Sequence, residues 1–264
     1  MATRAIWRKG SLKVGSLDVG IKLYAAVKDR NAHFHILEDR TGSRVRQRMV
    51  RESGEEVAHK KIQKGYEIEP GTFVVVDEKD LERMKPSESR DIETLRFVPS
   101  QEVGNEWYDR PYYLGPDDDD DTNYFAFVEA LQKSNAVGIV RWVMRGKAYV
   151  GALTTQDDYL LLIKMRYSQE VQPSQDLAPP SGPALDQKEL RMAKELVSAL
   201  EGKFEPAEFH DDYRERVLHF VEAKAKGKHP RLPIIKERTT GASLDDQLTK
   251  SLAALKRGPE KRVA

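Results

Sequence analysis

Hydrophobic positions in the first 165 residues fall in short runs, rich in β-branched and aromatic side chains and broken by turn formers. Val19–Tyr24, His33–Leu37, Thr72–Asp77, Ile92–Val98, Val137–Met144, Tyr149–Leu153 and Tyr159–Met165 therefore read as strands. Many short strands at such spacing, rather than strands alternating with long helices, predict a barrel or a sandwich. Two short helices interrupt them: Glu78–Met84, and Thr122–Ser134 with Phe125, Val128 and Leu131 on one side. Asp117–Asp121 between them reads as a solvated loop. The pattern changes at Gln172–Pro183, where Pro173, Pro179, Pro180 and Pro183 disfavour regular structure.

Beyond this linker the period becomes helical. Asp186 with Glu189 three residues on forms a capping-box pattern, Leu190, Ala193, Val197 and Leu200 make a stripe, and Gly202 ends it. A second helix starts near Pro206, with Phe209, Tyr213, Val217 and Phe220 on one face, and fades at Gly227. A basic, Pro-containing tail, Lys228–Thr240, precedes a last short helix from Ser243 that carries Leu244, Leu248, Leu252 and Leu255. Such a helix is too short to be stable alone, so it folds on a partner or against its own core. The chain thus divides into a mainly β core over 1–171, a linker over 172–184, a helical segment over 185–227 and a flexible basic tail over 228–264.

Charge changes this picture most at Arg44–Arg51, which reads Arg-Val-Arg-Gln-Arg-Met-Val-Arg. In a strand Arg44, Arg46 and Arg48 would share one side. A Ser53-Gly54 turn signal follows, and the chain returns with Lys60, Lys61 and Lys64. Arg40–Lys64 carries eight Lys/Arg against three Glu. Like charges crowded on a two-stranded ribbon are destabilising unless a polyanion neutralises them, and a duplex backbone presents regularly spaced phosphates to Arg. A solvated edge ribbon whose cations deter edge-to-edge pairing has the same composition. The net charge of +1 over 264 residues hides a further partition: Asp77–Asp121 holds fifteen acidic and six basic residues, and Lys224–Ala264 eleven basic and four acidic.

Several function classes lose support. Cysteine is absent, which excludes disulfides and thiolate metal sites and suits a reducing interior. No apolar run approaches membrane-spanning length and the first residues lack a signal-peptide core, so a soluble protein in a cytoplasmic location is expected. His33 and His35 could share a strand face but lack a third ligand, and His210 and His219 are wrongly spaced for one site. Pro116-Asp117 with Glu222-Ala-Lys224 has the outline of a nuclease site, yet the first lies in an acidic loop and the second beyond the linker. There is no glycine-rich nucleotide motif. Trp7, Trp107 and Trp142 read as core anchors. The expectation is a non-enzymatic protein without cofactor or metal.

A series of short matches resembles the bacterial Ku family, homodimeric DNA-end-binding proteins of non-homologous end joining. They run from Arg4-Ala-Ile-Trp7 and Gly10-Ser-Leu-Lys-Val-Gly15 through Lys22-Leu-Tyr24 and Lys64-Gly-Tyr-Glu67 to Ile92-Glu-Thr-Leu-Arg-Phe-Val98. Tyr112-Tyr-Leu114, Gly138-Ile-Val-Arg-Trp142, Leu185-Asp-Gln-Lys-Glu-Leu-Arg-Met-Ala193 and Phe209-His-Asp-Asp-Tyr213 continue them in the family's order. The resemblance implies a seven-stranded barrel with a long ribbon insertion forming half of a bridge, two protomers closing a ring around a duplex end. It places Arg44, Arg46, Arg48, Arg51, Lys60, Lys61 and Lys64 on that bridge, and Arg141, Arg145 and Lys147 on a DNA-facing strand and turn. For Arg145 and Lys147, a hairpin with a merely cationic tip is the competing reading. It also implies recruitment of a multifunctional ATP-dependent DNA ligase through the C-terminal half, for which Leu244, Leu248, Leu252 and Leu255 are the candidate docking residues. Some bacterial relatives carry a cysteine pair near the ribbon tip, where this chain reads Val50-Arg-Glu-Ser-Gly-Glu-Glu-Val57, so a thiol role is absent here. The alternative is a barrel-type module for single-stranded nucleic acid or RNA. Few aromatic residues interleave the basic ribbon, and stacking platforms are what single-strand binders need.

Overall fold

The computed structural model describes residues 4–117, 121–177, 186–228 and 248–253. Its elements in order are β1 (Trp7–Val14), β2 (Leu17–Ala25), β3 (Lys64–Glu69), β4 (Thr72–Val76), α1 (Glu78–Met84), β5 (Asp91–Pro99), β6 (Tyr108–Pro116), α2 (Asp121–Ser134), β7 (Ala136–Met144), β8 (Lys147–Gln156), β9 (Tyr159–Met165), α3 (Gln187–Ala199) and α4 (Asp212–Ala225). The chain divides into two compact units, Met1–Arg30 with His35–Asp176, and Asn31–Phe34 with Leu177–Ala264.

The first unit is built on a closed seven-stranded barrel in the order β1-β2-β6-β9-β8-β7-β5. All its ladders are antiparallel except the closing one, where β1 and β5 run parallel with Leu12 opposite Ile92. Buried and less buried positions alternate along β2 and β9, as closure demands. Val19, Ile21 and Leu23 of β2, Leu160 and Leu162 of β9, and Val140 and Trp142 of β7 are buried in one cluster with Leu12, Ile92, Leu114 and Leu153. Helix α2 packs on this cluster with Tyr124, Val128 and Leu131. Of the expected helix face Val128 and Leu131 are buried, whereas Phe125 is about half exposed and its neighbour Tyr124 is fully buried in its place. The Tyr124 hydroxyl donates to the Leu114 carbonyl and accepts from the Leu160 amide at 2.9 Å, joining helix to two strands. Burial pushes the Tyr124 phenol up to about 12. Trp7 and Trp142 are core residues, as expected, whereas Trp107 is only half-buried.

Strands β1, β3 and β6 were not legible in the apolar pattern, and His33–Leu37 forms no strand, Leu37 contributing only an isolated bridge to Arg44. Residues 26–90, between β2 and β5, are an insertion into the barrel's connectivity that carries the β3–β4 hairpin and α1.

In the second unit α3 carries the expected capping box, Asp186 accepting from the Glu189 amide at 2.8 Å and Glu189 accepting from the Asp186 amide at 3.1 Å. Helix α4 starts at the Asp211 cap and runs out into Gly227 with φ +71. A single 3-10 turn over Pro206–Glu208 stands where the second helix was expected to begin, so Phe209 precedes α4 rather than belonging to it. The two stripes are largely exposed: Leu190, Val197 and Leu200 of the first, Phe209 and Tyr213 of the second. Phe204 and Phe209 stack on each other at 5.6 Å. The Asp117–Asp121 loop lies outside the described residues at 118–120, and the Pro-rich linker at 178–185. Most of the basic tail, with Leu244 and Leu255, also lies outside them; Leu248 and Leu252 fall on a short helical stretch, the first buried and the second half-buried.

Candidate nucleic-acid interface

The basic stretch is extended but is not the regular two-stranded ribbon its alternation suggested. Two tight reversals replace it. The first turns at Thr41-Gly42, with Gly42 at φ +65, and is held by the Glu38 amide on the Ser43 carbonyl and the Val45 amide on the Ile36 carbonyl. The second turns at the expected Ser53-Gly54, with Gly54 at φ +83, and is held by a Val50–Glu56 bridge and the Val57 amide on the Met49 carbonyl. Lys60 and Lys61 sit on a 3-10 turn over His59–Lys61, and Lys64 opens β3. Arg44, Arg46 and Arg48 therefore do not form one row on a ladder.

The side chains separate into two classes. Arg48 is ion-paired with Glu56 at 2.5 Å, Arg51 with Glu55 at 2.7 Å and Lys64 with Glu78 at 3.7 Å. Arg44 donates to the His35 ring nitrogen at 2.8 Å, which holds the guanidinium without neutralising it. Arg46, Lys60 and Lys61 are exposed and have no carboxylate partner among the described residues. Two of the three glutamates of the stretch are thus spent inside it, an arrangement that sequence counting could not resolve into pairs.

The second basic group lies on β7 and β8. Arg141 points outward and pairs across the sheet with Glu93 of β5 at 2.8 Å. Arg145 and Gly146 form the two-residue β7–β8 turn, both at positive φ (54 and 69), as a type I′ hairpin requires. That geometry puts Arg145 and the exposed Lys147 at a tip. Arg90 joins them: it and Arg145 line one cleft of about 480 Å³ walled by Ile6, Trp7, Val143 and Met144. Lys85 lies against the same turn, its chain 3.2 Å from where a Gly146 Cβ would be. No signal in the sequence marked Lys85 or Arg90, which are brought to Arg145 by the barrel closure.

Both faces of the β3–β4 hairpin carry exposed apolar side chains, interspersed with Glu67 and Glu69 on one and with Lys64 on the other. Tyr66 pairs with Val74 on one face and Glu67 with Phe73 on the other, beside Val75 opposite Gly65. Tyr66, Phe73, Val74 and Val75 are all exposed in the single chain. Exposed apolar side chains gathered on one short hairpin make it a candidate interaction surface.

Comparison with known proteins decides the family. The model of the Ku70/Ku80 beta-barrel domain matches residues 13–192. The chain belongs to the Ku family. It is 36% identical over 231 residues to a non-homologous end joining protein Ku of Coxiella burnetii, covering 86% of this chain and 84% of that protein. A non-homologous end joining protein Ku of Archaeoglobus fulgidus is 32% identical over 255 residues, with 96% of this chain and 100% of the relative covered. One from Anaeromyxobacter is 34% identical over 264 residues, covering 99% and 89%. The Ku barrel expected from the short motifs is the one observed, seven strands with the insertion between its second and third members in chain order. Among the described residues no group of three His, Asp or Glu could hold a metal ion, and no helix is long and apolar enough to cross a membrane.

Proposed function

We propose that this Ku-family chain binds ends of double-stranded DNA without reading sequence, as a ring-shaped homodimer, in the repair of double-strand breaks by non-homologous end joining. The observation that carries the proposal is the insertion between β2 and β5, which combines Arg46, Lys60 and Lys61, without a carboxylate partner among the described residues, with a β3–β4 hairpin that exposes Tyr66, Phe73, Val74 and Val75. These exposed apolar side chains need cover, and a second copy supplies it; two-stranded hairpins are marginal alone. In a closed ring, Arg44, Arg46, Arg48, Arg51, Lys60, Lys61 and Lys64 face the duplex from the bridge. Arg141, Arg145 and Lys147, joined by Lys85 and Arg90, face it from the barrel. Phosphate contacts fix position and carry no base information, so end specificity arises from topology: a preformed ring admits a duplex only at a terminus. The protein is a non-catalytic clamp of the cytoplasm and nucleoid, and its C-terminal part recruits an ATP-dependent DNA ligase.

Competition among linear duplex, relaxed closed circles and single strands tests this. Linear duplex should bind, with affinity falling steeply as salt rises, and intact circles should not. Equal loading onto circles overturns the threading reading, and preference for single strands replaces it with the barrel-module alternative. Deleting 243–264 should leave end binding within a small factor while reducing ligase stimulation; unchanged stimulation removes the docking role of the leucine stripe.

A further inference from the structure

Among the side chains of the insertion, His35 has no part in the duplex contacts proposed above. It lies on the incoming arm of the first reversal, and Arg44 lies on the returning arm. The arms are in register, with Leu37 bridged to Arg44 and the Val45 amide on the Ile36 carbonyl at 3.1 Å. That register brings Arg46 to the level of His35, so the histidine stands across the reversal from two exposed arginines. The acids of the reversal sit at its turn, where Glu38 accepts from the Thr41 hydroxyl at 2.6 Å and Asp39 follows it. No carboxylate among the described residues pairs with Arg44 or Arg46.

The Arg44 contact fixes the state of the ring. A guanidinium has only donors, so the His35 Nδ1 at 2.8 Å must accept. Nδ1 is then bare, the ring is neutral, and its one proton is on Nε2. Protonation would turn Nδ1 into a donor, break this bond and set two cations side by side. Among the described residues no carboxylate offsets that repulsion. A phosphate does, because it accepts from an imidazolium and a guanidinium together and both bonds are charge-assisted. Imidazole is the side chain suited to this exchange, since its charge changes between pH 5 and 8.

Given the duplex contacts proposed above, we propose that His35 is a further duplex-binding residue of the insertion. It is neutral and holds Arg44 in the free protein; in the complex it is protonated and turns with Arg44 to the phosphate backbone. The proton comes from solvent, so loading takes up protons and tightens as the pH falls. At low pH the duplex meets two cations at this point, and at high pH one that is shared with the ring.

The whole chain and its His35→Asn variant, titrated with a short blunt duplex at pH 6 and pH 8 over a range of salt, test this. Asparagine keeps an acceptor for Arg44 and cannot take a proton. The variant should fall short of the unaltered protein by several-fold more at pH 6 than at pH 8. The unaltered protein's slope of log K against log salt should steepen at pH 6 by about 0.9 relative to the variant's, for the added contact. The other histidines are common to both proteins and cancel in the comparison. Nitrogen NMR of the free protein at pH 8 should place the His35 proton on Nε2. A proton on Nδ1 overturns the proposal, as does an equal gain in the two proteins or a variant weakened by one factor at both pH values. If neither protein binds the duplex at either pH, the reading as a duplex clamp falls, and the role of His35 with it.

Discussion

Tyr124 ties α2 to the barrel through a single oxygen that serves two buried backbone groups, the Leu114 carbonyl and the Leu160 amide. Tyr124→Phe keeps the ring and strands both groups, which costs about 1–3 kcal/mol in urea denaturation. The pH dependence follows from the same burial. The folded phenol titrates at about 12 and the unfolded one at 10.0, so the neutral form is favoured by folding. That stability is complete below pH 10 and is lost as the pH rises toward 12, a loss of about 2–3 kcal/mol at two pK units. The phenylalanine variant should lack this alkaline component. Among the cations, the ion pairs predict a ranking. Removing Arg46, Lys60 or Lys61, which have no acid partner among the described residues, should weaken duplex binding more than removing Arg48, paired with Glu56, or Arg141, paired with Glu93. Each lost phosphate contact should flatten the slope of log K against log salt by about 0.9. Glu55→Gln with Glu56→Gln should tighten binding, because it frees Arg51 and Arg48 at the expense of exposed pairs worth about 0.2–1 kcal/mol each. Equal effects from paired and unpaired cations would show that duplex contact overrides these intrachain pairs. The sequence identified the cations by type and spacing; which of them were already neutralised was invisible, since pairs such as Arg141–Glu93 span a sheet.

At the scale of elements, packing decides what propensity does not. Gly151 of β8 lies beneath Trp142, and a Cβ there would come within 2.6 Å of the indole and 2.8 Å of the Ile163 carbonyl. Gly151→Ala should therefore destabilise the barrel by about 1–3 kcal/mol, seen as a lower Tm. Gly202→Ala, with nothing within 4 Å of its Cβ, should not. The same logic explains what was legible. The α3 capping box could be read directly because its two hydrogen bonds are local in sequence. Strands β1 and β6 could not: Trp-Arg-Lys-Gly-Ser-Leu-Lys-Val has few apolar residues, and β6 contains Pro111 and Pro116. They are strands because barrel closure gives each a hydrogen-bonding neighbour on both sides. His33–Leu37 has the right composition and no ladder to join. The exchange of Phe125 for Tyr124 on the buried face of α2 is the one-residue ambiguity between adjacent aromatics, resolved by the hydrogen bonds of the Tyr124 hydroxyl that Phe125 could not make.

At the scale of the whole molecule, the exposed apolar faces of the β3–β4 hairpin predict the state of assembly. Phe73→Asp with Val75→Asp should convert the proposed homodimer to monomer at micromolar concentration in sedimentation, and duplex retention should fall with it. Both side chains are exposed in the single chain, so the barrel's own stability should be unchanged. A dimer that persists in this variant would place the interface elsewhere. The closing ladder of the barrel has a mechanical consequence. Residues 26–90 leave the barrel from the end of β2 and rejoin it at the start of β5, and β1 lies between those two strands, bonded to both. Tension on the insertion therefore pulls β2 and β5 along their own lengths. Antiparallel ladder bonds lie across the strand direction, so β2 against β1 and β6, and β5 against β7, are loaded in shear, with many bonds sharing the force at once. The basic stretch of the insertion, by contrast, is held by isolated bridges and short turns that open one bond at a time. Under load the bridge yields first and its anchorage last.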